Sequence, residues 1–259
     1  MNTDFYFAMG KSHMICEDYA YAGINSKGNP VAVVSDGCSA SPETDFGSRY
    51  LVRSSVICGA GSFEIDDMGL FSDYLIRTVI GYASQCGLGF HLPQYSLDAT
   101  LLYVEVKGDK IIVVTAGDGF VFAKKKDGQL VYWNIEYPSG SPFYPNYLMN
   151  ADRFSRYKEE CGTDFTVECT EPVGEEWREF PYFSLVLNKK DYSFVGVSTD
   201  GLATFGASTE DTIKSLTDYK NYRGEFVKRR MRKHLKNCFK NNTCPTDDVS
   251  MAVINLDDL

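Results

Sequence analysis

The chain has 259 residues, 44% hydrophobic and 24% charged, a balance that excludes a disordered or collagen-like polymer and suits a soluble globular protein. A formal net charge of −9 argues against nucleic acid as a partner, and no run of about 18 apolar residues exists to span a membrane. The eight cysteines include no Cys-x-x-Cys pair and Met1-Asn2-Thr3-Asp4 does not begin a secretory leader, so reduced thiols in a cytoplasmic protein are expected, with neither a disulfide framework nor a zinc site.

Taken in chain order, residues 31–35 form a short apolar strand that stops at Asp36-Gly37. Ser41-Pro42-Glu43 predicts a helix start, a capping residue followed by proline at the first helical position, with the helix running to about Gly59. A second helix places Met68, Phe71, Leu75, Val79, Tyr82 and Cys86 on one face and stops at Gly87. Residues 101–106 and 111–115 flank Lys107-Gly108-Asp109-Lys110 as a hairpin. The second arm runs into Ala116-Gly117-Asp118-Gly119, after which residues 120–123 resume the strand pattern. Residues 159–180 carry eight acids and one arginine, broken by Gly162, Pro172 and Gly174, and read as an exposed excursion. Residues 193–199 form a strand ending at Asp200-Gly201, and Asp247-Asp248 opens a last strand over 249–254.

Between those two strands the charge reverses. Residues 220–240 hold nine Lys and Arg against Glu225 alone, a local +8 that leaves the rest of the chain at −17. Val227, Met231, Leu235 and Cys238 make one apolar stripe of an amphipathic helix there. The basic faces read either as a solvated surface balancing an acidic body or as a docking surface for an acidic partner. No internal repeat or low-complexity linker interrupts the chain, so residues 1–259 are expected to form a single domain of layered α+β type.

Four strand boundaries carry aspartate: Asp36, Asp118, Asp200 and Asp247. Any one of them is also an ordinary turn carboxylate. Together they suit hard divalent cations, which take oxygen ligands, and the scarcity of histidine (His13, His91 and His234 only) disfavours zinc. Two such ions roughly 3.5–4 Å apart need a bridging carboxylate with others around it.

The ordered set Glu17-Asp18, Asp36-Gly37, Gly117-Asp118-Gly119, Ser198-Thr199-Asp200-Gly201-Leu202 and Asp247-Asp248-Val249-Ser250 resembles the metal-dependent Ser/Thr protein phosphatases of type 2C. The N-terminal Gly10-x-Ser12-His13 and Cys16-x-Asp18 are similar to a bacterial branch of that family. The resemblance implies a four-layer αββα sandwich, two central antiparallel sheets flanked by helices, with the metals at one end. It implies hydrolysis of phosphoserine and phosphothreonine in proteins by a metal-activated hydroxide, with two Mn²⁺ or Mg²⁺ ions and a third, weakly bound one. By the same resemblance Asp36 bridges the two ions, the Gly37 carbonyl ligates the second, Asp200 and Asp247 complete the first, and Asp118 with Asp200 holds the third. Adjacent residues on a strand face opposite ways, so Glu17 and Asp18 cannot both point at one ion and at least one is expected to act through water. Asp36, Asp200 and Asp247 are thus the expected catalytic set. The partners implied are a phosphorylated protein and a cognate Ser/Thr kinase, acting with a monomeric enzyme.

Two positions depart from the family pattern. His13 stands where many members have a phosphate-gripping arginine, and is the expected substrate-binding residue. Cys38 stands where eukaryotic members have a histidine after Asp-Gly, a poor general acid, so no protein acid is assigned. Ser96 and Thr100 lie near a further family pattern, although hydroxyls before a strand are ordinary. No cysteine is followed at the sixth position by arginine, as cysteine-nucleophile phosphatases require. Residues 138–182 fall where bacterial members carry a flap beside the site, and Tyr144-x-Asn146 resembles a pattern of that branch. The alternatives are a pseudophosphatase that binds phosphoproteins without turnover, and a small-molecule phosphoesterase on the same fold.

Overall fold

The computed structural model describes residues 2–59 and 67–257. Its strands are β1 (Thr3–Ala8), β2 (Tyr19–Ile24), β3 (Pro30–Ser35), β4 (Leu101–Lys107), β5 (Lys110–Ala116), β6 (Gly119–Lys125), β7 (Leu130–Glu136), β8 (Thr166–Cys169), β9 (Glu175–Glu179), β10 (Tyr182–Asn188), β11 (Tyr192–Ser198) and β12 (Val249–Asn255). Its helices are α1 (Thr44–Cys58), α2 (Met68–Gly89), α3 (Ala151–Cys161), α4 (Thr209–Thr217) and α5 (Phe226–Asn241). The strands make two antiparallel sheets of six, ordered β1-β12-β11-β6-β7-β8 and β2-β3-β4-β5-β10-β9.

The sheets stack face to face, α1 and α2 cover the outer face of the second, and α4 and α5 cover that of the first. This four-layer α+β sandwich explains why several strands read as unbroken apolar runs: with both faces covered, every position is core. In β12, Ala252 and Ile254 face the space between the sheets, while Val249, Met251 and Val253 pack under α4 and α5 with Phe226, Val227 and Met231. Burying side chains of this size contributes about 1.5–3 kcal/mol each.

Three expectations need correction. Helix α1 begins at Thr44, two residues after Pro42, because the Ser41 hydroxyl donates to Asp98 Oδ2 (2.8 Å) and caps nothing. In α2 the predicted face drifts: Ile76, Ile80 and Ala83 are buried, whereas Tyr82 is 47% exposed and Cys86 is on the surface. The acidic 159–180 stretch is largely solvent-facing, but it also supplies β8 and β9, which add an edge strand to each sheet.

Candidate active site

The antiparallel topology brings six chain segments to one end of the sandwich. Ala8 pairs with Val249, Ser198 with both Met251 and Phe120, and Tyr19 with Ser35. The residues just beyond those pairs are therefore neighbours: Gly10–His13, Glu17-Asp18, Asp36-Gly37, Asp118, Thr199-Asp200 and Asp247-Asp248. The sequence separates them by up to 238 positions, and the register of the sheets joins them.

Backbone contact fixes the arrangement. Asp248, buried, accepts the amide of Gly10 at Oδ1 (2.7 Å) and that of Glu17 at Oδ2 (2.6 Å), tying the N-terminal loop to the start of β12. A Cβ at Gly10 would lie 2.2 Å from the Asp247 carbonyl carbon, and one at Gly201 would lie 1.7 Å from the Asp248 carbonyl oxygen. Only glycine lets these three segments touch. Asp36 is held on both sides of its peptide, its amide donating to Thr100 Oγ1 (3.0 Å) and its carbonyl accepting from the Thr100 amide (2.8 Å).

The carboxylates then differ by what holds them. Glu17 turns toward α1, where the Thr44 hydroxyl donates to Oε1 (2.7 Å), and Asp18 turns inward, where the Thr199 hydroxyl donates to Oδ2 (2.7 Å). The two diverge as adjacency requires, although they precede β2 rather than lie on it. Asp18 Oδ1, Asp118 Oδ1 and Asp200 Oδ1 are buried with no hydrogen-bond partner. Both nitrogens of His13 face acids: Nε2 is 3.1 Å from Asp247 Oδ1 and Nδ1 is 3.2 Å from Asp248 Oδ2.

Such crowding is electrostatically unfavourable to anions. Loss of hydration raises the Asp36 carboxyl well above the ordinary range, and the charges of Asp18, Asp200, Asp118 and Asp247 add to it. Burial does the same for Asp18, against hydrogen bonds from Thr199 and Asp36 that favour its charge. Burial and then Asp247 raise Asp200, while burial followed by Asp200 pushes Asp118 up to about 7. A divalent cation would reverse each shift, since it favours the charged form. The donor set is all oxygen and suits Mg²⁺ or Mn²⁺. As the side chains stand, no group of three or more His, Cys, Asp or Glu among the described residues is placed to hold an ion.

Beside this end lies the 138–182 segment. Phe143 centres an aromatic cluster with Tyr147, Phe154, Tyr157, Phe180 and Tyr182. Arg153 of α3 donates to both oxygens of buried Asp98 (3.1 Å each) and lies over the rings of Tyr95 and Tyr147. Asn146 donates to the same carboxylate (2.6 Å). Tyr144 reaches the Cys38 thiol, and its hydroxyl is pushed up by burial and then by Cys38 and Asp36. Thr44, Asp98 and Arg153 had no signal in the sequence, and Thr199 had none beyond its place in the Ser198–Leu202 motif, because each acts on a residue distant in the chain.

A family model described as Protein phosphatase 2C matches residues 9–240. Among solved structures the chain is similar to a bacterial serine phosphatase, at 13% identity and a TM-score of 0.59 over 99% of this chain and 98% of that one. It is also similar to the serine/threonine phosphatase Stp1 from Staphylococcus aureus, at 15% identity and a TM-score of 0.59 over 98% of this chain and 95% of that one. A third is PppA, a key regulatory component of T6SS in Pseudomonas aeruginosa, at 13% identity and a TM-score of 0.52 over 97% and 95%. No curated protein matches by sequence. The sandwich and the acidic end define a phosphatase-like fold, and the chain belongs to the protein phosphatase 2C family.

Proposed function

We propose that the protein is a metal-dependent serine/threonine phosphatase acting on phosphorylated proteins in the cytoplasm as a one-domain monomer over 1–259, opposing a Ser/Thr kinase. The observation that carries this reading is the set of unpartnered, buried oxygens of Asp18, Asp118 and Asp200 around Asp36. Leaving three such groups unmet costs about 1–3 kcal/mol each, a cost with a purpose only if cations meet them. Asp36, the Gly37 carbonyl, Asp200 and Asp247 would hold a Mn²⁺ or Mg²⁺ pair, with Glu17 and Asp18 beside it and Asp118 at a third ion. When bound, such ions supply charge neutralisation to the phosphoryl group and acidify water.

The chain's own residues supply position. Thr199 fixes the inward face of Asp18, and Thr100 fixes the peptide of Asp36. His13 lies against Asp247 and restrains it, the role we assign to it in preference to gripping phosphate, because both ring nitrogens already face carboxylates. Tyr144 and Cys38 wall the site on the flap side, and no side chain is assigned as proton donor to the leaving oxygen. The test is a Mn²⁺ titration followed by both calorimetry and turnover. Activity is expected to rise in two phases, and Asp118→Ala to remove the later phase while the tighter binding stays measurable. A single phase in both proteins contradicts the third ion.

A further inference from the structure

The basic helix plays no part in the site. In α5 the residues Val227, Met231 and Cys238 are buried against β1 and β12, while Arg229, Arg232, Lys233, Lys236 and Lys240 are exposed. At about 100° per residue these five fall within a sector about 100° wide, opposite the buried one and about 16 Å long. Lys228 pairs with Glu225 and Arg230 with Asp218, yet among the described residues none of the five has an acidic partner. At the N-terminal end of the stripe, Lys220, Arg229, Arg230 and Lys233 line a cleft of about 160 Å³ walled by Tyr219 and Phe226, whose one carboxylate, Asp218, is taken up by Arg230. At its C-terminal end Phe239 stands 81% exposed on the edge of the stripe that Arg232 occupies.

We propose that this face of α5 is a docking site for an acidic segment of a protein partner, one carboxylate entering the Lys220–Arg229–Lys233 cleft and an apolar side chain lying on Phe239. The stripe is narrow and the remaining chain carries −17. A broad polyanion, a lipid surface or a nucleic acid duplex, would meet that negative body within about one Debye length of the helix, roughly 8 Å at physiological salt, and be repelled. A single extended peptide touches only the stripe. The acidic 159–180 stretch of another copy is the competing occupant, and self-association that depends on α5 would reveal it. Exposed basic residues in unmatched rows gain most from an anion that satisfies several at once.

The experiment is fluorescence anisotropy of a labelled glutamate-rich peptide containing one leucine, measured on the full chain. Binding is read directly and does not depend on turnover, so a failure of the phosphatase reading leaves it intact. The wild-type protein should bind the peptide, and R232E/K233E/K236E should weaken binding by at least about tenfold, as should raised salt. The milder R232Q/K233Q/K236Q should weaken it less, and K27E/K190E, at two exposed lysines elsewhere, should leave it unchanged. Circular dichroism confirms that each variant is folded. No binding, or equal binding by wild type and both α5 variants, overturns the proposal. So does tighter binding of phosphatidylserine vesicles or a DNA oligonucleotide, or self-association that the α5 variants abolish.

Discussion

The hydroxyl of Thr199 donates to Asp18 Oδ2 at 2.7 Å across 181 residues of chain, and accepts the Ser250 amide at 2.9 Å. One side chain thus locks the N-terminal loop, the end of β11 and the start of β12 together at the acidic end. It also aims Asp18 so that the other carboxylate oxygen, Oδ1, stays unpartnered.

Thr199→Val keeps the volume and removes the donor. We expect the metal-free protein to lose about 1–3 kcal/mol, the cost of a buried acceptor left unmet. Mn²⁺ affinity should fall about 10–100-fold, as it does when a group orienting a ligand is lost. Denaturant melts and calorimetry read the two effects; unchanged affinity would show that Asp18 does not depend on Thr199.

The raised carboxyls set the pH dependence of the metal-free fold. Asp118 rises from 3.8 to about 7, and Asp18, Asp36 and Asp200 also rise. A group whose folded value lies above its unfolded one binds its proton more tightly in the folded state. Its contribution is therefore complete below about pH 4 and lost as pH climbs through the folded value. In chelator the melting temperature should fall from about pH 5 to about pH 8, a loss on the order of a few kcal/mol. Asp118→Asn should flatten part of that slope, and Mn²⁺ should raise the melting temperature most at the alkaline end. A melting temperature that climbs with pH in chelator would contradict this account.

Asp98 and Arg153 tie the 138–182 segment to the residues that precede β4. The carboxylate also accepts from Asn146 and Ser41, so three groups from three segments meet on it. Asp98→Ala leaves the Arg153 guanidinium unpaired and should cost about 3–5 kcal/mol. Limited proteolysis should then cut within 138–162 well before global unfolding. A variant as resistant as the wild type would mean that the Phe143 aromatic cluster holds the segment unaided.

What the sequence made legible follows from where the determining forces are local. The strands around Asp36, Asp118, Asp200 and Asp247 were readable because continuous apolar runs broken at Asp-Gly are short-range patterns. The order of those motifs carried the resemblance that the fold bears out. The start of α1 was misread because Ser41 is claimed by Asp98, a residue 57 positions away that no local rule includes. Edge strand β9 was hidden because Glu175–Glu179 lacks an apolar alternation, and β8 because its alternation lasts only four residues, Thr166–Cys169, inside an acidic stretch. That His13 stands beside Asp247 and Asp248 had no local signal, because it goes with the Gly10–Asp248 contact, which is a product of the tertiary fold.

The metal-dependent hydrolysis of phosphoproteins proposed for the acidic end is read by phosphate release from a phosphothreonine peptide. With Mn²⁺ the wild-type protein is predicted to release phosphate and, after chelation, to stop. Asp36→Asn should remain folded, melt higher than wild type without metal because one anion has left the cluster, and release none. Metal binding without turnover even at about millimolar Mn²⁺, or full activity in Asp36→Asn, would contradict the account.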